Sequence, residues 1–208
     1  MNYTELRAAS IAYADRYDTE VSGNIDTYVI MTEARINRLL KTRKQSARAY
    51  ILGVDGKEYY PLPPDWAGMR NLKITNPNPI TTGYSEDPMS LLDPTSFELH
   101  KKSSSKDGAY CIIDNQIQVY PLIAEGCSME MVYFQRVPNL NAIDDTNWLS
   151  TDNPDIYLAG MTAEISLFAK DYSAADGWYE RLATAVGELE NVDWVERWSG
   201  DPLQIRLG

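Results

Sequence analysis

The chain has 208 residues, of which 44% are hydrophobic and 24% charged, a composition typical of a folded domain and not of a disordered chain. Its net charge of −11 disfavours sequence-independent binding to DNA, which needs lysine and arginine side chains against the phosphates. No apolar run reaches the ~18 to 20 residues of a membrane span, no secretory leader is visible, and the cysteines, Cys111 and Cys127, are too few for a disulfide framework. We therefore expect a cytoplasmic product with reduced thiols and no membrane partner.

Two helices are predicted in the N-terminal region. The apolar and small residues of the first recur at helical spacing, at Tyr3, Leu6, Ser10, Tyr13 and Tyr17. A turn is predicted at Val21–Asn24. The second helix has an apolar stripe at steps of three and four residues, namely Ile25, Tyr28, Val29, Thr32, Ile36, Leu39 and Leu40. It is expected to end near Lys41–Lys44, because cations complement a helix C-terminus.

Residues 46–143 show the pattern of antiparallel β-structure. Ala47–Leu52 and Glu58–Leu62 flank Gly53–Gly56, which is typical of a hairpin turn. A strand is also predicted at 69–75, followed by loop through about residue 94 and a Ser-rich loop at 101–107. Three later strands, connected by tight turns, predict a meander: 109–113, 117–121 and 129–137.

The C-terminal region is again helical. Asp152–Asp155 has an Asx cap followed by proline at the first helical position. One helix is expected to bury Leu158, Met161, Ile165, Phe168 and Tyr172, and the next to bury Trp178, Leu182, Ala185, Leu189 and Val192. Because Gly200 and Pro202 would break a helix, we expect an extended tail at 194–208.

The predicted fold class is therefore α+β, in one structural unit overall. Helices from residues 1–45 and 144–193 form a bundle, and residues 46–143 form an antiparallel β domain inserted between them. No internal repeat is evident.

The sequence offers no residue set for catalysis. It has no Gly-rich phosphate loop and neither G-x-S-x-G nor H-E-x-x-H. His100, the only histidine, is predicted at an exposed strand end, and one histidine with two cysteines is too few for a structural zinc site. Clustered carboxylates fit no calcium loop and are explained by capping and solvation: Asp144, Asp145, Asp152 and Asp155. We expect no enzyme, no metal and no cofactor.

Several segments, in order along the chain, resemble the head-to-tail adaptor (connector) proteins of tailed bacteriophages. Asn147–Met161 is similar to a family segment in which Asn-Trp-Leu, a few polar residues and Pro-Asp-(apolar)-Tyr-Leu open a helix that contains a glycine. Tyr60–Trp66 resembles the family's Leu-Pro-x-Asp-aromatic element. The family's β-meander, the Pro-x-Leu after it and a late aromatic residue are matched by Gly108–Tyr110, Ile117–Pro121, Met131–Phe134, Pro138–Leu140 and Trp178. The resemblance extends from about residue 25 to residue 190.

The resemblance implies a structural protein of the virion, at the head–tail junction. In that family the subunits form a ring, expected to be a dodecamer, which docks beneath the portal protein and carries the tail or nozzle. Double-stranded DNA passes through the ring without specific binding. The alternatives are a tail-tube or tail-completion ring subunit, a monomeric module that binds through a Tyr-rich face, and an enzyme of unknown type.

The charge is unevenly distributed. Residues 1–143 carry 15 basic and 17 acidic residues, whereas residues 144–208 carry 4 and 13. A basic run with no acid between Glu33 and Asp55 is either a solvated helix end or a functional contact. The contact would be with the acidic third of a neighbouring subunit, in preference to the phosphate backbone of DNA. Its members are Arg35, Arg38, Lys41, Arg43, Lys44 and Arg48.

Two further sets of residues follow from the expected ring. Acidic residues of the C-terminal third are predicted to line or approach the DNA channel: Glu180, Glu188, Glu190 and Asp193. Apolar residues of the tail are predicted to contact the portal or the adjacent subunit, with folding back on the chain's own helices as the alternative. These are Trp194, Trp198, Leu203, Ile205 and Leu207.

Overall fold

The computed structural model describes residues 1–75, 88–103 and 107–198. The chain is a mixed α+β protein, as predicted, with two β-sheets in its described part. In chain order the helices are α1 (Tyr3–Tyr13), α2 (Thr19–Gly23), α3 (Ile25–Leu39), α4 (Pro94–Lys102), α5 (Trp148–Asp152), α6 (Pro154–Phe168) and α7 (Tyr172–Trp198). The strands are β1 (Ser46–Leu52), β2 (Tyr59–Pro61), β3 (Trp66–Thr75), β4 (Ser90–Leu91), β5 (Ala109–Ile113), β6 (Gln116–Tyr120) and β7 (Ser128–Gln135).

The chain divides into two compact units, one formed by Met1–Arg43 with Val137–Gly208 and the other by Lys44–Arg136. Every helix except α4 belongs to the first unit, and all the strands belong to the second. Within the described ranges, no helix is both long enough and apolar enough to cross a membrane.

Helix α6 is the centre of the first unit. It packs against α1, α3 and α7, and most of its residues are buried, because it is apolar on all sides instead of on one stripe. The predicted stripe of α3 is buried except for Leu39, which is 44% exposed. The predicted stripes of α6 and α7 are wrong at their ends, where Phe168, Tyr172 and Val192 are exposed.

Gly160 of α6 lies where α3 approaches closely. A Cβ at this position would overlap Thr32 Cγ2 and would lie 3.3 Å from Thr32 Oγ1. Glycine within a helix costs up to about 1 kcal/mol relative to alanine, so its presence here is explained by the room it leaves for the neighbouring helix.

The second unit contains a three-stranded sheet with order β1-β7-β3 and a four-stranded sheet with order β2-β6-β5-β4. The predicted β1–β2 hairpin is wrong, because β1 pairs with β7 over its whole length and β2 pairs with β6. The predicted meander is correct only for the β5–β6 hairpin, since β7 belongs to the other sheet. Gly53 does not turn the chain back. Its N–H donates to Cys127 O, and Cβ at this position would lie 2.6 Å from Ile123 Cγ2.

Helix α4 was not predicted, and His100 lies within it and not at a strand end. Asp93 caps α4 by accepting from the N–H groups of Thr95 and Ser96, and Pro94 occupies the first turn. Only Phe97 of this helix is buried, so its sequence lacks the apolar stripe by which helices are recognised. The Ser-rich loop prediction begins inside this helix and otherwise falls partly outside the described residues.

The C-terminal helix is longer than predicted. Helix α7 continues to Trp198, so residues 194–198 are helical and do not belong to an extended tail. The end of α7 is held in place because Glu190 and Asp193 accept hydrogen bonds from the backbone of Lys41 and Arg43. Leu203, Ile205 and Leu207 lie outside the described residues, as does the side chain of Trp198.

Candidate functional site

The side chains that could carry catalysis are engaged in structural contacts. His100 Nε2 lies 2.9 Å from the carbonyl oxygen of Asp107. Cys111 and Cys127 are both buried, and neither forms a disulfide bond. The Cys111 thiol donates to Gln118 Oε1, and burial raises the pKa of this thiol, which disfavours the reactive thiolate. Among the described residues, no group of three histidine, cysteine or carboxylate side chains is placed to hold a metal ion.

Residues of Asn147–Met161, which we call the adaptor-like segment, instead form a hydrogen-bond network in the first unit. Asn147 caps α5, because its Oδ1 accepts from Ser150 N at 2.8 Å. Its Nδ2 donates to Pro138 O at 2.6 Å and to Tyr157 Oη at 2.8 Å. The Asn147 side chain therefore links three parts of the first unit, namely the start of α5, the segment at Pro138 and the first turn of α6.

Glu33 of α3 completes this network. Its Oε1 accepts from the buried Leu140 N–H at 2.6 Å and from Tyr157 Oη at 3.3 Å. Burial raises the pKa of the Glu33 carboxyl, although both hydrogen bonds act in the opposite direction. Glu33 was not singled out from the sequence. The sequence feature that could have identified Glu33 is its position directly beside Thr32, as an acidic residue on the apolar stripe of α3.

We expect Asn147→Ala to destabilise the first unit by about 2 kcal/mol. The change removes a helix cap and two further hydrogen bonds, and it leaves the Pro138 carbonyl without this donor. Urea unfolding measures the effect. Asn147→Ser is the matched variant, because serine keeps the capping oxygen and loses the amide donor, so its loss should be smaller. Equal losses for the two variants would show that the capping oxygen of Asn147 contributes nothing.

We expect Glu33→Gln to raise the melting temperature near pH 7. Because the folded state has the raised pKa, ionised Glu33 costs stability as the pH rises above the unfolded value of this group. Glutamine keeps the accepting Oε1 and carries no charge. The gain should therefore shrink as the pH is lowered towards 4.5, the ordinary pKa of a glutamate carboxyl, because the raised pKa lets the folded wild type take up its proton first. Glu20→Gln, at an exposed position, is the control, and a gain that does not depend on pH would contradict this account.

The structure places the predicted basic run in two different units. Arg35 stacks over the ring of Tyr179, with its Cζ 3.7 Å from the ring centroid. Arg43 pairs with Asp193 at 3.5 Å and with Glu196, both on α7 of the same chain. Its charge is therefore already paired within the subunit. Arg38 is exposed in the first unit, and Lys44 and Arg48 belong to the second.

The predicted acidic set divides in the same way. Asp193 is only 7% exposed, and its carboxylate accepts from Arg43 N at 3.0 Å, so it cannot also face passing DNA. Glu190 Oε1 accepts from Lys41 N at 2.9 Å. Glu180 and Glu188 are exposed, as a channel-facing role requires. Trp194, predicted as a contact, is 60% exposed on α7.

The adaptor-like segment thus holds the first unit together, and His100 and the cysteines make structural contacts. A family model described as SU10 adaptor protein matches residues 1–206. The chain belongs to this family, which confirms the resemblance to phage head-to-tail adaptors. A search of the curated proteins found no match.

Family membership defines the protein at a general level. It is a structural adaptor protein of a bacteriophage, it assembles with phage head and tail components, and its place is in the virion. The family is one of structural adaptors and not of enzymes.

Proposed function

We propose that this chain is the subunit of a head-to-tail adaptor ring. Copies of the chain, expected to number twelve, dock beneath the portal protein, join the tail or nozzle to it and form part of the DNA channel. The observation that carries this proposal is the match to the adaptor family over residues 1–206. The net charge of −11 supports it, because a negative ring lets DNA pass without gripping its phosphates.

In the proposed ring the terminal segments of the chain form a helical body, and the sheets form a domain inserted into it. The helical first unit and the sheet-containing second unit support this arrangement. A tail-tube subunit is usually dominated by β-structure, and the α6-centred unit does not fit that class.

The mass of the assembled particle tests the proposal. Light scattering should report a ring of copies when the chain is mixed with the portal of the same phage, and removal of the portal surface that contacts the ring should abolish docking. A monomer in the absence of portal is compatible with the proposal, because a ring can require its template. A chain that stays monomeric and unbound in the presence of portal would contradict it.

A further inference from the structure

The outward face of the β1-β7-β3 sheet has no partner in the described part of the chain. The side chains on the inward face of this sheet, such as Leu72, Met129 and Met131, belong to the core of the second unit. On the opposite face, Tyr50 is 59% exposed and Leu52 is 74% exposed. A sheet face that combines exposed apolar and charged side chains in this way is typical of an interface.

This sheet face is positively charged in a chain of net charge −11. Glu130 lies between Arg48, at 3.1 Å, and Lys73, at 3.3 Å, on the two flanking strands. Arg70 stacks over Phe134, with its Cζ 5.0 Å from the ring centroid. Among the described residues of this face, three cations against one carboxylate leave a charge of about +2, so an acidic partner surface fits it.

The outward face of α7 has the complementary chemistry. Among the side chains of this face that the structure describes, the exposed carboxylates Asp176, Glu180 and Glu188 outnumber the exposed cation Arg181, which leaves about −2. Val195 is 52% exposed towards the C-terminal end of the same face. The face therefore offers acidic groups and an apolar end, which correspond to the cations and the exposed Tyr50 and Leu52 side chains of the sheet.

Two glycines within α7 have no explanation inside the chain. A Cβ on Gly177 or Gly187 would meet nothing within 4 Å. Alanine would make a more stable helix at both positions. Close approach by a surface from outside the chain explains why neither position carries a side chain.

The two faces also agree in size. Three strands about 4.8 Å apart span about 10 Å, which is the width of one helix with its side chains. A closed ring of more than two copies needs a head-to-tail interface, in which two different surfaces of the same chain meet. The sheet face and the α7 face are two such surfaces.

We propose that the outward face of the β1-β7-β3 sheet of one copy is covered by the outward face of α7 of the neighbouring copy. This inference rests on the proposed ring and names the surfaces that close it. It assigns Glu180 and Glu188 to the contact between subunits instead of to the channel wall. It also uses Arg48 as an intersubunit cation, because the Arg48 side chain is 62% exposed and shares its one carboxylate partner, Glu130, with Lys73.

Bulky side chains at the two glycines test the close approach. We expect Gly177→Leu with Gly187→Leu to leave the melting temperature equal or higher, and to weaken ring assembly on the portal at least tenfold. Gly23→Leu is the matched control, because a Cβ on Gly23 also meets nothing within 4 Å and α2 is outside the proposed contact. Rings that form normally with both leucines in α7 would overturn the inference.

Charge exchange tests the pairing of the faces. Arg48→Glu alone, and Glu180→Lys with Glu188→Lys, should each weaken assembly. All three changes in one chain should recover assembly relative to Glu180→Lys with Glu188→Lys, because the lysines of α7 then meet a sheet face whose charge has fallen from about +2 to about zero. Lys73 still contacts Glu130 when Arg48 is replaced, so the sheet is expected to fold. A combined variant that assembles no better than Glu180→Lys with Glu188→Lys would show that these faces do not meet.

Failure of this inference can be told apart from failure of the proposed function. Wild-type rings on the portal together with unaffected variants would refute only the choice of surfaces. A wild-type chain that never assembles would refute the ring itself. An Arg48→Glu chain that assembles normally and retains less duplex DNA would show that the sheet face contacts nucleic acid, which would also overturn the inference.

Discussion

A chain that ends at Trp198 should melt at the temperature of the full-length protein and fail to dock on the portal. The end of α7 is already held by the contacts of Arg43 with Asp193 and Glu196, so we expect the first unit to fold without residues 199–208. Leu203, Ile205 and Leu207 alternate with polar residues, a pattern that suits a short strand against an apolar surface. A segment that orders only on binding contributes to affinity and not to the stability of the free subunit.

Matched substitutions separate the apolar contacts from the length of the segment. Serine at the three alternating apolar positions should abolish docking as the truncation does. Serine at Gln204 and Arg206, on the other face of the pattern, should leave docking within a few-fold of wild type. Calorimetry of the free subunit and cosedimentation with portal measure the two effects. A fall of many degrees in melting temperature with intact docking would show that the segment belongs to the subunit core.

Gly160→Ala should destabilise the first unit by about 1–3 kcal/mol, although alanine is the better helix former by up to about 1 kcal/mol. The added Cβ would overlap Thr32 Cγ2. Thr32 is β-branched and fully buried, so its methyl group cannot easily rotate away. The two helices must therefore separate or shift, and chemical denaturation measures the cost.

The companion variant is Thr32→Ser, which removes the methyl group that the new Cβ would meet. The double variant Thr32→Ser with Gly160→Ala should recover most of the stability lost by Gly160→Ala alone. Gly187→Ala is the control for helix propensity, because a Cβ there meets nothing within 4 Å, and it should stabilise the subunit. A stabilising effect of Gly160→Ala would show that the close approach of α3 to Gly160 is not maintained in solution.

The adaptor-like segment has a structural meaning that its sequence alone did not reveal. Asn147 and Tyr157 are part of the motif because they hold α5, α6 and the chain near Pro138 in one network with Glu33. This part of the resemblance to the family thus rests on residues that maintain the helical unit. The proposed contacts between copies lie elsewhere, on the exposed faces of α7 and of the β1-β7-β3 sheet.

Local sequence determined those elements whose spacing, cap or turn residues lie within a few positions of one another. The stripe of α3, the proline at the start of α6 and the turn between β5 and β6 were all predicted, because spacing and caps act within a few residues. Helix α4 was missed because it buries little. The family was also recognised from sequence, since its motifs keep their order and spacing.

Only the tertiary structure decided which distant segments meet. The glycines of Gly53–Gly56 predicted that β1 pairs with the next strand in sequence. In the structure β1 instead pairs with β7 along its whole length, and this long antiparallel ladder decides the partner. An extended tail was predicted from residue 194 because Gly200 and Pro202 interrupt a helix. In the structure the Asp193 carboxylate accepts a hydrogen bond from Arg43 N, 150 positions earlier in the chain, and this contact anchors the end of α7. Such contacts depend on how every intervening element packs. The physical reason is that a hydrogen bond or ion pair forms between groups that are close in space. The spacing of residues in the sequence predicts such closeness only within a single helix or strand.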